Sequence, residues 1–336
     1  MKLGIRKYVL LSLIAVSFTA NAQQQFRITG FSDKYEGFLE IAKGYEEEVF
    51  KKGRISIIET QTKKKLFTIE SEELTYDLDD DGKVETNVSE IPYGEQSIII
   101  SGDFNFDGKP DLAVMDGQNS CYHGPSFQIY LETGKGLQHS EGFTRLAQEY
   151  CGMFSVNEDE KTISTMRKSG CCWHEFSLFK VEDDVPVVIE IFEQGLNADG
   201  YTMHIKETKR VGDRLVENEY NVLEDEERLK EVHIIVFAKD KKATIYRTND
   251  EEHPQLVYTF QNSEDHIELF YNDYFIYDRQ KNILQFTNED VTYEIGENTI
   301  LVKMKGKNVR MNSVVNTATL SLRSIGKLKL NNVKIR

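Results

Sequence analysis

Past its first two dozen residues the chain reads as short runs in which apolar and polar residues alternate, separated by turn signals. A period of two marks a strand with one buried and one wetted face, because successive side chains point to opposite sides of a pleated backbone. Runs rich in Val, Ile, Tyr, Phe and Thr predict strands at 37–41, 54–59, 65–70, 97–100, 127–131, 176–181 and 187–192. The series continues at 201–208, 233–238, 244–247, 256–260, 267–271, 283–286 and 293–295. Only 143–150 carries a helical period, and 45–52 fits a short helix or an exposed strand equally well. The lysines of Lys327-Leu-Lys329-Leu330 and Val333-Lys-Ile335-Arg336 alternate with apolar residues, which predicts half-buried strands with lysines toward water. The expected fold is all-β, mainly antiparallel, with a first β domain at 23–195 and a second at 196–336. The boundary is placed at the turn Gly195-Leu-Asn-Ala-Asp-Gly200, since no linker and no repeat of fixed period is visible.

The first 22 residues break this pattern. Lys2, Arg6 and Lys7 precede an apolar stretch from Tyr8 to Ala20, and Ala20-Asn-Ala22 offers the small residues of a signal-peptidase site. The apolar stretch is short for a membrane span, and no later segment approaches the length one needs. The absence of a cysteine after it argues against a lipid anchor. The expected location is therefore periplasmic or secreted, after cleavage near Ala22.

Such a cut removes three basic residues and takes the net charge from −15 to −18. That acidity argues against nucleic acid as a partner and suits a protein that handles cations. Four cysteines (Cys121, Cys151, Cys171 and Cys172) would meet an oxidising compartment, where disulfides are the default. Three pairings are possible. The one that joins the neighbours Cys171 and Cys172 strains the backbone, so the expectation is that each of them pairs with Cys121 or Cys151. Cys121-Tyr-His123 and Cys172-Trp-His174 imitate a zinc site only loosely, their ligands lying closer together within each pair than zinc fingers place them.

One loop carries specific chemistry. Asp103-Phe-Asn105-Phe-Asp107-Gly108-Lys109-Pro-Asp111 places side-chain oxygens at positions one, three, five and nine, with glycine at six. A calcium ion takes six to eight oxygen ligands at about 2.3–2.6 Å, and alternate residues of a tightly wrapped loop deliver them. The expected ligands are Asp103, Asn105, Asp107, the carbonyl of Lys109, and Asp111. Position twelve is Val114 and both flanks read as strands, which excludes an EF-hand. A second loop, Asp77-Leu-Asp79-Asp-Asp81-Gly-Lys83-Val-Glu85, repeats the acidic positions and reads either as a second cation site or as a solvated hairpin turn. Its ligands would be Asp77, Asp79, Asp81, the Lys83 carbonyl and Glu85.

The sequence carries no recognisable catalytic motif. No second histidine follows His174-Glu175 at metallopeptidase spacing, Gly124-Pro-Ser126 lacks the glycine that closes a nucleophile elbow, and no phosphate-cradling glycine loop is present. No enzyme is expected. What remains is Ser169-Gly170-Cys171-Cys172-Trp173-His174, which holds the one tryptophan of the chain and the polar and aromatic groups that anchor interfaces.

Three blocks in order resemble a known family: Gly102-Asp-Phe-Asn-Phe-Asp-Gly108 with Asp111-Leu-Ala-Val114, then Gly124-Pro-Ser-Phe-Gln-Ile-Tyr-Leu131, then Gly152-Met-Phe154 leading to the cysteine pair. The chain is similar, over roughly 26–190, to exported bacterial β proteins represented by a Xanthomonas immunity protein. That protein binds calcium, inhibits a peptidoglycan hydrolase delivered by a type IV secretion system, and is similar in fold to the I-type lysozyme inhibitors. The calcium loop alone also resembles the FG-GAP repeats of integrins. The resemblance implies calcium at Asp103, Asn105, Asp107 and Asp111, and a Ser169-Gly170 loop that enters a glycosidase cleft. Where those inhibitors carry a projecting tyrosine or similar side chain, this chain has cysteines, Trp173 and His174. The expected function is a calcium-stabilised binder, an inhibitor of a lysozyme-like peptidoglycan hydrolase, contacting it through Ser169, Gly170, Trp173 and His174. The alternatives are a module that binds cell-wall glycan or the cell surface, and a secreted hydrolase of unrecognised type.

Overall fold

The computed structural model describes residues 24–90, 94–314 and 321–336; the segment read as a signal peptide lies outside them. Strands dominate, nearly all antiparallel to their neighbours in sequence, and the predicted all-β class holds. The chain divides into two compact units between Met153 and Phe154.

The first unit contains two four-stranded meanders. One runs through β1 (Gln25–Ile28), β2 (Tyr35–Ile41), β3 (Lys51–Glu59) and β4 (Lys65–Leu74), the other through β5 (Ile99–Gly102), β6 (Asp111–Gly117), β7 (Ser126–Thr133) and β8 (Gly136–His139). Helix α1 (Glu141–Gln148) follows and buries Phe143 and Leu146, as the helical period predicts. Ile55, Ile57, Leu112, Val114, Phe127 and Ile129 are buried, and the Phe67 and Tyr130 rings stack at 3.8 Å. Residues 45–50 form turns leading into β3, which settles the segment that fitted helix or strand.

The second unit holds three sheets. The largest orders its strands β14-β13-β12-β11-β10-β9. Its members are β9 (Ser155–Asn157), β10 (Thr162–Ser169), β11 (Trp173–Glu182), β12 (Val185–Leu196), β13 (Thr202–Val211) and β14 (Arg214–Leu223). Next come β15 (Leu229–Val236), β16 (Lys242–Thr248), β17 (Leu256–Gln261) and β18 (Ile267–Tyr271). The last sheet is β19 (Phe275–Asp278), β20 (Ile283–Asn288), β21 (Val291–Ile295), β22 (Thr299–Met304) and β23 (Lys307–Asn312), with β24 (Val333–Ile335) added parallel to β19. These last two sheets share a core in which Tyr258, Tyr277, Phe275 and Phe286 are almost fully buried.

Two expectations are corrected. The turn after Leu196 is not a domain boundary: Leu196 pairs with Met203 across it, so β12 and β13 are one hairpin. Asp199 closes that turn by accepting the N–H groups of Tyr201 and Thr202. The same Asn, Asp and Gly signals serve a hairpin and a linker, which is why sequence placed the break there. Residues 327–330 form no strand either. Leu322–Lys327 is a short 3-10 turn, and Leu328 and Leu330 pack on the core without a ladder, so alternation there reflects packing rather than pairing.

Candidate functional sites

The acidic loop that joins β5 to β6 is wound by its own carboxylates. Asp103 accepts the N–H of Asp107 on Oδ1 at 3.0 Å and that of Gly108 on Oδ2 at 2.8 Å. The Asp107 N–H also reaches Asn105 Oδ1 at 3.3 Å. Gly108 takes φ +83°, a region a Cβ disfavours, so position six of the loop needs glycine. Asp111 is fully buried at the start of β6. Its Oδ2 accepts the Phe104 N–H at 2.8 Å and its Oδ1 the Glu132 N–H at 2.7 Å, fastening the loop to β7.

The residues fit a hard cation. These bonds use one lone pair on each Asp103 oxygen and leave the other for a metal, whereas Asp111, with backbone donors from Phe104, Asn105 and Glu132, keeps one of its four acceptor sites. Burial pushes the Asp111 carboxyl up to about 6 despite its backbone donors, with the nearby Asp103 charge adding to the rise. A divalent ion beside it would reverse that penalty. Asp107 is held below the usual carboxylate range, first by the Lys109 ammonium 2.5 Å from its Oδ2, so an ion competes with Lys109 for this ligand. Asp103, Asn105, Asp107, Asp111 and the Lys109 carbonyl would hold the ion, which would supply a cross-link within the loop. Among the described residues, however, no three His, Cys, Asp or Glu side chains already gather as a metal-holding group.

The second acidic loop is a hairpin turn closed on itself. Asp79 Oδ1 accepts the N–H groups of Asp81 and Lys83, Glu85 N–H bonds to the Asp77 carbonyl, and Leu78 bridges Val84. Lys83 pairs with Asp81 at 3.0 Å on the surface. Asp79, Asp80 and Asp81 are all solvent-facing or half-exposed, with no counterpart to the buried Asp111.

The cysteines overturn the expected pairing. Cys121 bonds Cys151, and Cys171 bonds its neighbour Cys172. The reason lies in the hairpin: Ser169 pairs with Trp173, so Gly170, Cys171 and Cys172 alone turn the chain from β10 to β11. Gly170 takes φ +63° to make the turn, and the two cysteines are left side by side at its tip. Cys121 and Cys151 belong to the other unit, where Cys121 N–H also reaches the Tyr150 carbonyl. No free thiol remains among the described residues, which removes the zinc and thiolate readings.

The four residues expected to contact a partner meet at this tip. Ser169 and Gly170 are exposed, and the Cys172 carbonyl accepts the Leu196 N–H at 3.2 Å, fixing the tip to the end of β12. Trp173 and His174 point to opposite faces of β11, as strand neighbours must. His174 stacks over Phe176 at 6.4 Å on one face. On the other, Trp173 is half-buried and pairs with Gly195, where an added Cβ would lie 3.4 Å from its Cδ1. The row continues through His204 and Asn221, residues no sequence motif singles out, because only the register of four strands aligns them.

No protein-family model matches the chain, and no curated protein does. A Xanthomonas type IV secretion system related protein is similar over 59% of this chain and 94% of its own, at 18% identity and a TM-score of 0.45. The polysaccharide lyase Uly1 aligns over 87% of this chain and 80% of its own, at 11% identity and a TM-score of 0.22. A mannose phosphorylase from Leishmania mexicana aligns over 64% and 84%, at 10% identity and a TM-score of 0.16. None reaches a TM-score of 0.5, so the functional reading rests on this chain's own residues. Among the described residues no helix is long and apolar enough to cross a membrane.

Proposed function

We propose that this protein is an exported, calcium-stabilised inhibitor of a peptidoglycan-cleaving glycosidase, and that the hairpin tip 169–174 enters the enzyme's cleft. The observation that carries the reading is the three-residue tip between Ser169 and Trp173, closed by the Cys171–Cys172 bond and tied to Leu196. A loop that inserts into a cleft loses little conformational freedom on binding if it is already rigid, and that saving goes directly into affinity. Trp173 adds the large, partly exposed aromatic surface that dominates binding energy at interfaces. A calcium ion at Asp103, Asn105, Asp107, the Lys109 carbonyl and Asp111 has a structural role, holding the β5–β6 loop closed. The partner class comes from the motif resemblance around the calcium loop and the Ser169-Gly170 pair. The test is binding of the mature protein to a panel of immobilised muramidases. Saturable binding that Trp173→Ala weakens at least tenfold supports the tip. Equal binding by wild type and variant, or none to any muramidase by folded protein, contradicts it.

A further inference from the structure

We propose that the same sheet end carries a saccharide-binding groove, running from Trp173 over Gly195 to His204 and Asn221 and closing against Asn197 and Phe270. This proposal does not rest on the inhibitor reading.

Strand register supplies the row. Trp173 pairs with Gly195, Gly195 with His204, and His204 with Asn221, so the four residues project from one face of β11, β12, β13 and β14. Neighbouring strands lie about 4.8 Å apart, so the row spans about 14 Å, the reach of two or three sugar rings. Glycine at 195 leaves a flat floor against which the indole lies, and the indole is only half-buried. A partly exposed aromatic plane is what the C–H face of a sugar stacks on.

The far end deepens into a concavity of about 380 Å³, bounded by Asn197, His204, Asn221 and, from β18, Glu268 and Phe270. Its polar groups are oriented before any ligand arrives. Asn197 Nδ2 donates to Thr202 Oγ1 at 2.8 Å and to Asn221 Oδ1 at 3.1 Å. Both N–H groups of one amide and the carbonyl of the other are thereby engaged. That leaves, on two residues that line the concavity, an acceptor at Asn197 Oδ1 and a donor at Asn221 Nδ2. Adjacent sugar hydroxyls each donate and accept, and so match that pair. Hairpin closure accounts for Asp199 and Thr202, which bond within their own turn. It gives no reason for Gly195, His204 and Asn221 to align.

Charge narrows the ligand. Asp199 and Glu268 line the concavity and Glu219 stands 4.0 Å from His204, against the Lys241 ammonium 2.6 Å from Glu268, so the rim is acidic on balance. Glycans rich in uronic acid are disfavoured there, and neutral or N-acetylated chains are accepted.

The single tryptophan makes the test direct. The mature protein is titrated with N-acetylglucosamine, glucose and galacturonic acid trisaccharides while Trp173 emission is followed, with calorimetry in parallel so that a silent indole does not hide binding. Saturable binding of either of the first two, but not the third, weakened at least tenfold by His204→Ala and by Asn221→Ala, is the expected result. Both substitutions lie off the tip, at exposed or half-exposed positions, and circular dichroism checks that they fold. No binding up to about 10 mM, a limit beyond which affinity is too weak to be specific, overturns the groove. So does binding that neither variant changes, or equal binding of the uronate. Any of these failures leaves the muramidase test of the tip unaffected.

Discussion

Asp111 is the residue on which the calcium reading turns. A carboxylate buried to this degree is costly unless donors or a cation surround it, and the backbone N–H groups of Phe104, Asn105 and Glu132 supply only part of that. Asp107 is the more informative position to change, because it is partly exposed and its loss leaves the β6 packing intact. Wild-type protein in calcium at a hundredfold excess over Kd should gain about 2.7 kcal/mol, read as a fall in Tm on adding EDTA. Asp107→Ala should abolish that fall; a variant that still responds to EDTA would remove calcium from the loop. The winding of this loop was legible in sequence because it is local: five residues and one glycine encode it. His204 and Asn221 were not, since a residue's place on a sheet face depends on the register of strands far apart in the chain.

Short elements explain the cysteines. Consecutive cysteines are improbable partners in an extended chain, but a three-residue hairpin tip sets them side by side, and only the hairpin register reveals this. The two bonds should differ in what they do for stability. Cys121 and Cys151 close a loop with a sequence separation of 30, for which chain entropy predicts about 3–4 kcal/mol. Replacing both with serine should cost about that much in urea denaturation, whereas Cys171→Ser with Cys172→Ser should cost well under half as much and chiefly weaken partner binding. A large stability loss from the second pair would place the tip bond in the folding of the unit instead. The turn after β21 offers a pH-dependent counterpart. Burial alone would raise the Glu297 carboxyl, yet bonds from Ser321, Asn282 and the Leu322 N–H hold it below its ordinary value. A depressed acid stabilises the fold above its unfolded pKa and loses that contribution as pH falls through the folded one. Glu297→Gln should therefore flatten the stability profile below about pH 4.5 and cost about 1–2 kcal/mol at neutral pH, allowing for partial solvent screening. An unchanged acid profile in chemical denaturation would contradict the assignment.

At the scale of the molecule, the alternation of apolar and polar residues carried most strands and the all-β class, while the division into units escaped it. The break between Met153 and Phe154 has no linker, and the strongest run of turn residues proved to be a hairpin. Sheets built from sequence-adjacent strands leave hardly any composition signal where one ends and the next begins. The first unit contributes the acidic β5–β6 loop proposed to hold calcium, and the second the disulfide-closed hairpin tip and the polar groove proposed beside it. The most direct test is inhibition of muramidase turnover of peptidoglycan by the mature protein, in calcium, across several lysozymes and bacterial cell-wall hydrolases. The account predicts saturable, competitive inhibition of at least one enzyme, lost in Trp173→Ala and retained in His204→Ala. Absence of inhibition across the panel, from folded and calcium-loaded protein, would contradict it.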